Sequence, residues 1–524
     1  MKSIDIQSLK EDLPEFREKS AAFYAGEMSK ADYKGFSGFY GSYAQRNGEA
    51  GMLRLRIPAG RLTKERLAFV ADTIRSHHIK RIHFTTCQTI QLHDLDGDTI
   101  CRIIDEALNA GIITMGGGGD YPRNVMCSPL SGVEKEEYFD VLPWAEAAGE
   151  YLLTFLKDKK MPRKLKVGFS NSPSNLTHAT YRDLGFAARK DGLFDVYSAG
   201  GLGKNPLFGV KVAEAVEPSM ILYYIKAMWL TFITWGNYDN RGKARTRYMQ
   251  EALGGPEKYV EAYQTKLAEV MASGENLRID PETLSVSQPV KLQNEDKRKV
   301  PLSNPRIIEQ KRPGFYTVYW HPIGGQPDPD KFCQLADTLA QMENAEIRLS
   351  PDQTAYIINL TEAEIGKVLE STPGGAETPF EASVSCIGAS ICQIGLRNSQ
   401  ALLSSCIQAA RQADIPGNAL PQMHISGCPS SCGTHQTGII GFRGAGKFIN
   451  GRSESGYMLY AGGNEYQGNE VIGRELGVLL EKDIPDFLVM LGRTVAKSGQ
   501  DFIDWYKANP DELGTISEPF CLRS

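Results

Sequence analysis

Cys386 and Cys392, in VSCIGASICQIG, and Cys428 and Cys432, in HISGCPSSCGTH, form a C-x5-C pair and a C-x3-C pair about thirty-five residues apart. Thiolates are soft ligands, and four of them select iron–sulfur clusters or zinc over harder metals. A cubane cluster needs four thiolates converging from loops that can fold tightly around it. Both pairs lie in Gly- and Ser-bearing stretches, whose glycines let backbone amides crowd toward sulfur. Zinc ribbons and fingers generally use C-x2-4-C spacing in both halves, which the five-residue gap fits poorly. A structural zinc site and a set of inert buried cysteines stand as the alternatives.

A second group of residues is cationic. Arg54 and Arg56 lie in GMLRLRIPAG, Arg123 follows a four-glycine run in GGGGDYPRNVMCSP, and Lys164 and Lys166 lie in MPRKLKVGFS. The i, i+2 spacing of the lysines puts both on one face of a strand. Apolar neighbours imply partial burial, and buried cations need anionic partners. A small oxyanion, or the carboxylates of a large cofactor, meets that need. Guanidinium forks suit bidentate oxyanion recognition, and lysines also pass protons. Taken singly, each charge is equally at home on a solvated surface. The same holds for Arg241, Lys243, Arg245 and Arg247 in NRGKARTRYM, which could contact cofactor carboxylates. The glycine run is no dinucleotide fingerprint, no phosphate-binding loop or serine-nucleophile elbow is present, and no C-x2-C-x2-C run encodes a second cluster.

The elements that position these residues repeat. Arg81–Asp105 aligns without a gap on Glu346–Glu370, with Gln88-Thr89 on Gln353-Thr354 and RIPAG (56–60) on HPIGG (321–325). Each copy reads as an alternating strand, a turn, an amphipathic helix, a second strand and a second helix, compatible with half of a ferredoxin-like layer. A weaker echo sets PRKLKVGFSNSPSN (162–175) against PQMHISGCPSSCGT (421–434). The fold class is therefore α+β and internally duplicated: two ferredoxin-like half-modules that pair, plus two larger α/β modules, with pseudo-twofold symmetry. The expected divisions are an N-terminal arm (1–50), a first repeat (51–115), a first larger module (116–273), a linker (274–312), a second repeat (313–375), a second larger module (376–498) and a tail (499–524), which reads as a docking segment.

Bulk properties bound the function. The 524 residues suffice for several cores, and 41% apolar and 23% charged residues are ordinary for a globular protein. A net charge of −5 suggests neither nucleic acid nor an anionic membrane as partner. The charged N-terminus has no apolar signal region, and Met220–Trp235 is too short to span a bilayer and reads as a buried helix. Ten cysteines without a secretion signal imply a reducing compartment, so a cytoplasmic location is expected.

The chain resembles the sirohaem-dependent sulfite and nitrite reductases from about Tyr40 to Ser498. C-x5-C followed by SGCPSSCG, the repeated QT units, RNV after a glycine-rich turn, and PRKLK carry the likeness. The resemblance implies that Cys386, Cys392, Cys428 and Cys432 ligate a [4Fe-4S] cluster, with Cys432 also bridging to the iron of sirohaem (siroheme). It implies that Arg54, Arg123, Lys164 and Lys166 bind the oxyanion and deliver protons, and that Gln88, Gln91, Ser430, Arg241 and Arg245 contact the cofactor. The expected reaction is six-electron reduction of sulfite to sulfide, with nitrite to ammonia as the alternative. In the family K-x-K accompanies sulfite and K-x-N nitrite, and Lys164-Leu165-Lys166 follows the first pattern. With no flavin or nicotinamide module visible, electrons are expected from ferredoxin, flavodoxin or a flavoprotein subunit. A reading of different class is a non-catalytic four-cysteine metal module. One departure stands out: where the family commonly has T-x-R-Q, with the Arg meeting a sirohaem carboxylate, this chain has Thr85-Thr86-Cys87-Gln88. His83, Arg81 or the Arg241–Arg247 cluster are candidates to replace that cation.

Overall fold

The computed structural model describes residues 4–284 and 303–522. The centre of the expected linker lies outside these residues. Its end is not loose chain, because Ile307–Glu309 forms an edge strand against Tyr316–Trp320.

Each repeat forms a strand, a helix, a β-hairpin and a second helix. In the first these are Gly51–Leu55, Lys64–Ser76, Ile82–Phe84 with Ile90–Leu95, and Gly97–Asn109. In the second they are Tyr316–Trp320, Pro329–Ala340, Glu346–Leu349 with Ala355–Leu360, and Glu362–Ser371. Where the sequence suggests one second strand there is a hairpin, since Gln88 and Gln353 take left-handed backbone angles (φ 54° and 72°) that reverse the chain. The helices start where capping chemistry dictates. The Thr63 and Asp96 side chains accept amides of the first turn, and Thr361 with Glu364 forms a capping box.

The repeats are welded rather than merely adjacent. Arg61–Leu62 of the first adds a strand to the sheet of the second, pairing with Glu346–Leu349, and both repeats contribute to one apolar core. Gln88 and Gln353 complete the weld reciprocally. Gln88 exchanges two hydrogen bonds with the Cys127 backbone (2.8 and 2.9 Å) and donates to the Leu349 carbonyl of the other repeat (2.5 Å). Gln353 does the same with Ser385 (2.9 and 3.0 Å) and the Phe84 carbonyl (3.2 Å). Beside each lies a glycine at positive φ, Gly60 or Gly325, where a Cβ would strike the glutamine amide at 2.7 or 2.6 Å. Gln88→Leu leaves these buried backbone groups unpaired, and on the order of 2–4 kcal/mol of stability is expected to go with them. A denaturant midpoint unchanged from the parent's would show that the lock carries no weight.

The two larger modules have identical sheet plans. Met126–Cys127, Val167–Ser170 and Leu184–Ala188 run parallel, then Phe194–Ser198 and Val210–Val216 turn antiparallel. Val384–Ser385, Met423–Ser426 and Ile440–Ile449 likewise run parallel, followed by antiparallel Arg452–Ala461 and Arg474–Leu480. The pairings make Gly168 equivalent to His424, because each sits opposite the first residue of its short neighbour strand. The weaker sequence echo is therefore real but out of register as read along the chain. Strand geometry, which the shared Ser/Pro composition does not encode, sets the alignment.

The apolar helix Ile221–Trp235 is buried in the first module's core, as its composition predicts, and among the described residues no helix is long and apolar enough to cross a membrane. The tail corrects its expectation. Phe502, Trp505, Leu513, Ile516 and Phe520 belong to the core of the second larger module, so 499–522 completes that module instead of standing free.

Candidate functional site

The cysteine pairs come from two loops of the second larger module. Cys386 follows the short strand Val384–Ser385, and its Sγ receives the Gly427 amide at 3.1 Å and lies 3.1 Å from Ser399 Oγ. A turn closed by the Cys392 amide on the Gly388 carbonyl (2.9 Å) carries the chain on to Cys392. Arg46 braces this loop from the N-terminal arm, its Nη1 bonded to the Gly395 carbonyl at 2.7 Å and its amide to the Ile391 carbonyl. Cys428 and Cys432 flank Ser431, whose φ of 53° tightens the turn. Thr86 of the first repeat donates to the Cys432 carbonyl at 2.9 Å, tying the two halves together there.

Burial pushes the Cys386 thiol up, with Cys428 adding to the rise, while the Gly427 and Gly388 amides and Ser399 oppose it. The Cys432 thiol is pushed up to about 12 by burial and by Cys386, against the pull of Lys164 and Lys166. Its surface is nevertheless accessible, because it faces a cleft sunk into the protein. Thiols that resist ionising together this strongly are suited to a cationic metal centre, which stabilises all the thiolates at once. Among the described residues no group of three or more His, Cys, Asp or Glu side chains is placed to hold a single metal ion.

Of the four expected cations, Lys164 and Lys166 line the cleft, while Arg54 and Arg123 are not among its lining residues. Lys164 and Lys166 alternate about Leu165, which bridges to Pro122, so both reach the cleft that Ser430, Ser431 and Cys432 line from the other half. Arg54 lies mid-strand in a transverse row with Gln91 and His83. The glycine run explains itself here: the Gly117 carbonyl accepts from Arg54, and those of Gly116, Gly118 and Gly119 accept from Arg123. Side chains would not fit, since a Cβ on Gly118 would lie 2.5 Å from the Gly38 carbonyl oxygen. Arg56, fully buried on the carbonyls of Met115, Pro122 and Arg123, supports the same turn. Burial and neighbouring positive charge hold Lys164 well below the usual lysine range, and burial brings Arg123 down to about 10. Like charges gathered at partial burial call for an anionic ligand.

Other expected residues divide. Ser430 lines the cleft, and Gln91 bonds His83 at 3.1 Å within the strand row. Gln88 does not face the cleft, because both ends of its amide are consumed by the weld. Arg245 lines the cleft while gripping Asp183 at 2.9 and 3.0 Å. Arg241 is turned to the surface, where it shares Asp120 with Arg163. Neither proposed single-residue substitute at Cys87 is an available cation: burial takes His83 down to about 4, leaving it neutral, and Arg81 pairs with Asp94 near the surface. The residue beside Cys87 that sequence reading missed is Arg182, which also lines the cleft. Cys87 is drawn down to about 6, Lys166, Arg182 and Arg54 outweighing the opposing effect of burial. A larger cleft bounded by Arg61, Trp144 and Arg348 lies apart from the cysteines; Arg61 pairs with Glu146 and Glu346, and Arg348 with Glu346.

A cleft lined by Cys432 and by Lys164, Lys166, Arg182 and Arg245, inside a duplicated α+β scaffold, fits an oxidoreductase built on a metal cluster. The comparisons agree. The family model for the nitrite and sulphite reductase 4Fe-4S domain matches residues 118–270, and that for the nitrite/sulfite reductase ferredoxin-like half domain matches 43–110 and 308–372. A ferredoxin–nitrite reductase of Synechococcus elongatus is 25% identical over 459 residues, covering 84% of this chain and 85% of its own. The assimilatory ferredoxin-dependent nitrite reductase of Haloferax mediterranei is 24% identical over 518 residues, covering 92% and 86%. The solved structure of the Mycobacterium tuberculosis NirA protein superposes with a TM-score of 0.76 at 20% identity, covering 98% of both chains. The chain belongs to the nitrite and sulphite reductase family. Membership brings that family's cofactor pair, sirohaem and a [4Fe-4S] cluster, which fits the donor set and the cationic cleft.

Proposed function

We propose that the protein reduces sulfite to sulfide by six electrons, with Cys386, Cys392, Cys428 and Cys432 holding the cluster and Cys432 linking it to sirohaem. The observation that carries the substrate choice is the Lys164–Lys166 pair opposite Cys432, in a cleft that already contains Arg182. Near neutral pH sulfite carries up to two negative charges and nitrite one, so each additional cation favours sulfite more. Nitrite is the second reading, supported by the names of the relatives. Ferredoxin is the proposed donor on the same footing, with flavodoxin or a flavoprotein subunit as other sources.

The cofactor pair supplies electrons one at a time to a single bound atom. The chain's own residues do the rest. Arg54 and Arg123, held rigid by glycine carbonyls, orient the oxyanion and offset its charge without reorganising. Lys164, whose ammonium burial makes a readier acid, gives one of the two protons that each departing oxygen takes up to leave as water, the second coming from solvent, which also reprotonates the lysine between steps. Lys166 keeps the potential of the cleft positive as negative charge accumulates.

The test is steady-state turnover of sulfite and of nitrite by one preparation on a reduced artificial donor. The preparation is expected to be coloured, with Soret absorption, iron and acid-labile sulfide, and to favour sulfite. Preference for nitrite would reverse the substrate assignment, and colourless protein holding zinc without iron would sink the enzymatic reading.

A further inference from the structure

Arg182 follows the short turn Ala179–Tyr181, entered through His178 at a left-handed φ of 59°. Its Nε donates to the Thr177 carbonyl at 2.8 Å and its Nη2 to His178 Nδ1 at 3.0 Å. With Nδ1 accepting, the imidazole proton sits on Nε2, which faces Glu465 Oε1 at 3.2 Å. Glu465 comes from the other half of the molecule. It also accepts from Thr437 Oγ1 at 3.0 Å, and its backbone carbonyl receives Asn175 Nδ2 at 2.9 Å. A buried chain, Glu465 to His178 to Arg182, thus crosses from the cluster-bearing half and fixes one guanidinium at the edge of the cleft.

Among the described residues no hydrogen bond is made by Nη1 of that guanidinium, whose Nε and Nη2 hold Thr177 and His178. Among the described residues no carboxylate lies within ion-pairing distance of it: adjacent Asp183 is taken by Arg245 and by the Lys166 amide, and Glu465 stops at His178. Its neighbours in the cleft are Lys164, Lys166 and Cys432, with Cys87 alongside. A guanidinium pinned at two nitrogens presents its remaining edge at a fixed angle, beside the Cys87 position where the family's carboxylate-binding arginine is missing. It suits a planar anion that stays bound.

We propose that Arg182 anchors the cofactor, its free edge gripping a carboxylate of the tetrapyrrole, with Glu465 and His178 as the buttress that sets its angle. This rests on the assignment of the cleft to sirohaem. A substrate oxyanion is the other source of the same chemistry, and the experiment separates the two. Arg182→Met, Arg182→Lys and the double exchange Cys87→Arg with Arg182→Met are purified as holoprotein beside the parent. Sirohaem per cluster is read from the Soret band against acid-labile sulfide, and sulfite or nitrite affinity from the anion-induced Soret shift. Arg182→Met is expected to weaken sirohaem retention on the order of 10- to 100-fold, the scale of one charged hydrogen-bonded pair, with acid-labile sulfide intact. Arg182→Lys, which keeps charge without the fork, is expected to lose less. The double exchange returns a guanidinium to the same corner and is expected to restore retention, which a merely structural role for Arg182 would not produce. Full sirohaem in Arg182→Met overturns the proposal, and full sirohaem with weakened anion binding moves Arg182 to the substrate. A parent protein without sirohaem would instead sink the functional reading, and this inference with it.

Discussion

Cys432→Ser is expected to yield protein with little acid-labile sulfide, no coupled cluster–haem spectrum, and sulfite turnover at background. Serine is isosteric but a hard donor with a far higher pKa than a thiol, so it cannot supply the soft anionic ligand an iron–sulfur centre selects. The position also leaves no obvious relief. Cys432 faces the cleft, its carbonyl is fixed by Thr86, and the preceding residue is held at φ 53°. Iron and sulfide analysis with electron paramagnetic resonance of the reduced protein makes the check. A surviving coupled spectrum would remove Cys432 from the bridging role, whereas loss of coupling with the cluster retained would leave it bridging but dispensable for cluster assembly.

Lys166→Asn is the second large effect. It removes one of the cations gathered about Cys432 and Cys87 and leaves Lys164, Arg182 and Arg54 in place. Loss of a positioned proton donor or charge stabiliser costs on the order of 10²- to 10³-fold in rate. Sulfite turnover is expected to fall by about that much. Nitrite turnover is expected to fall less, because a monoanion gains less from the missing charge. Turnover of both anions by the parent and variant on the same donor measures the ratio. Equal losses would mean that the lysine acts on both reactions alike and would withdraw the ground for placing sulfite first. The Lys166 backbone amide, which bonds Asp183 at 2.8 Å, is unaffected by the substitution, so a general collapse of the cleft is not expected to mimic this result.

Most of the chemistry was legible along the chain because it is local. The thiolate spacing and the lysine alternation are patterns within a few tens of residues, and the duplication is an ungapped match of two short stretches, each read along the chain itself. The reading of Gln88 as a cofactor contact failed for the complementary reason. Its partners are Cys127 and Leu349, and no local pattern says that a buried amide will be spent on a carbonyl in the other repeat. His83 looked like a candidate cation until burial made it neutral, and the tail after Gly499 read as a docking segment until its aromatic residues met a core formed mainly by residues from 380 onward.

The sequence by itself determined that this is a duplicated α+β chain with four thiols in one half and a set of cations in the other. Tertiary structure alone decided what holds each cation. Asp120 withdraws Arg241 to the surface, glycine carbonyls aim Arg54 and Arg123, and Glu465 holds His178, which in turn holds Arg182 in the cleft. The physical reason is that a charge's role is set by burial and by its counter-ions, and both come from segments that meet only when the two halves close on each other.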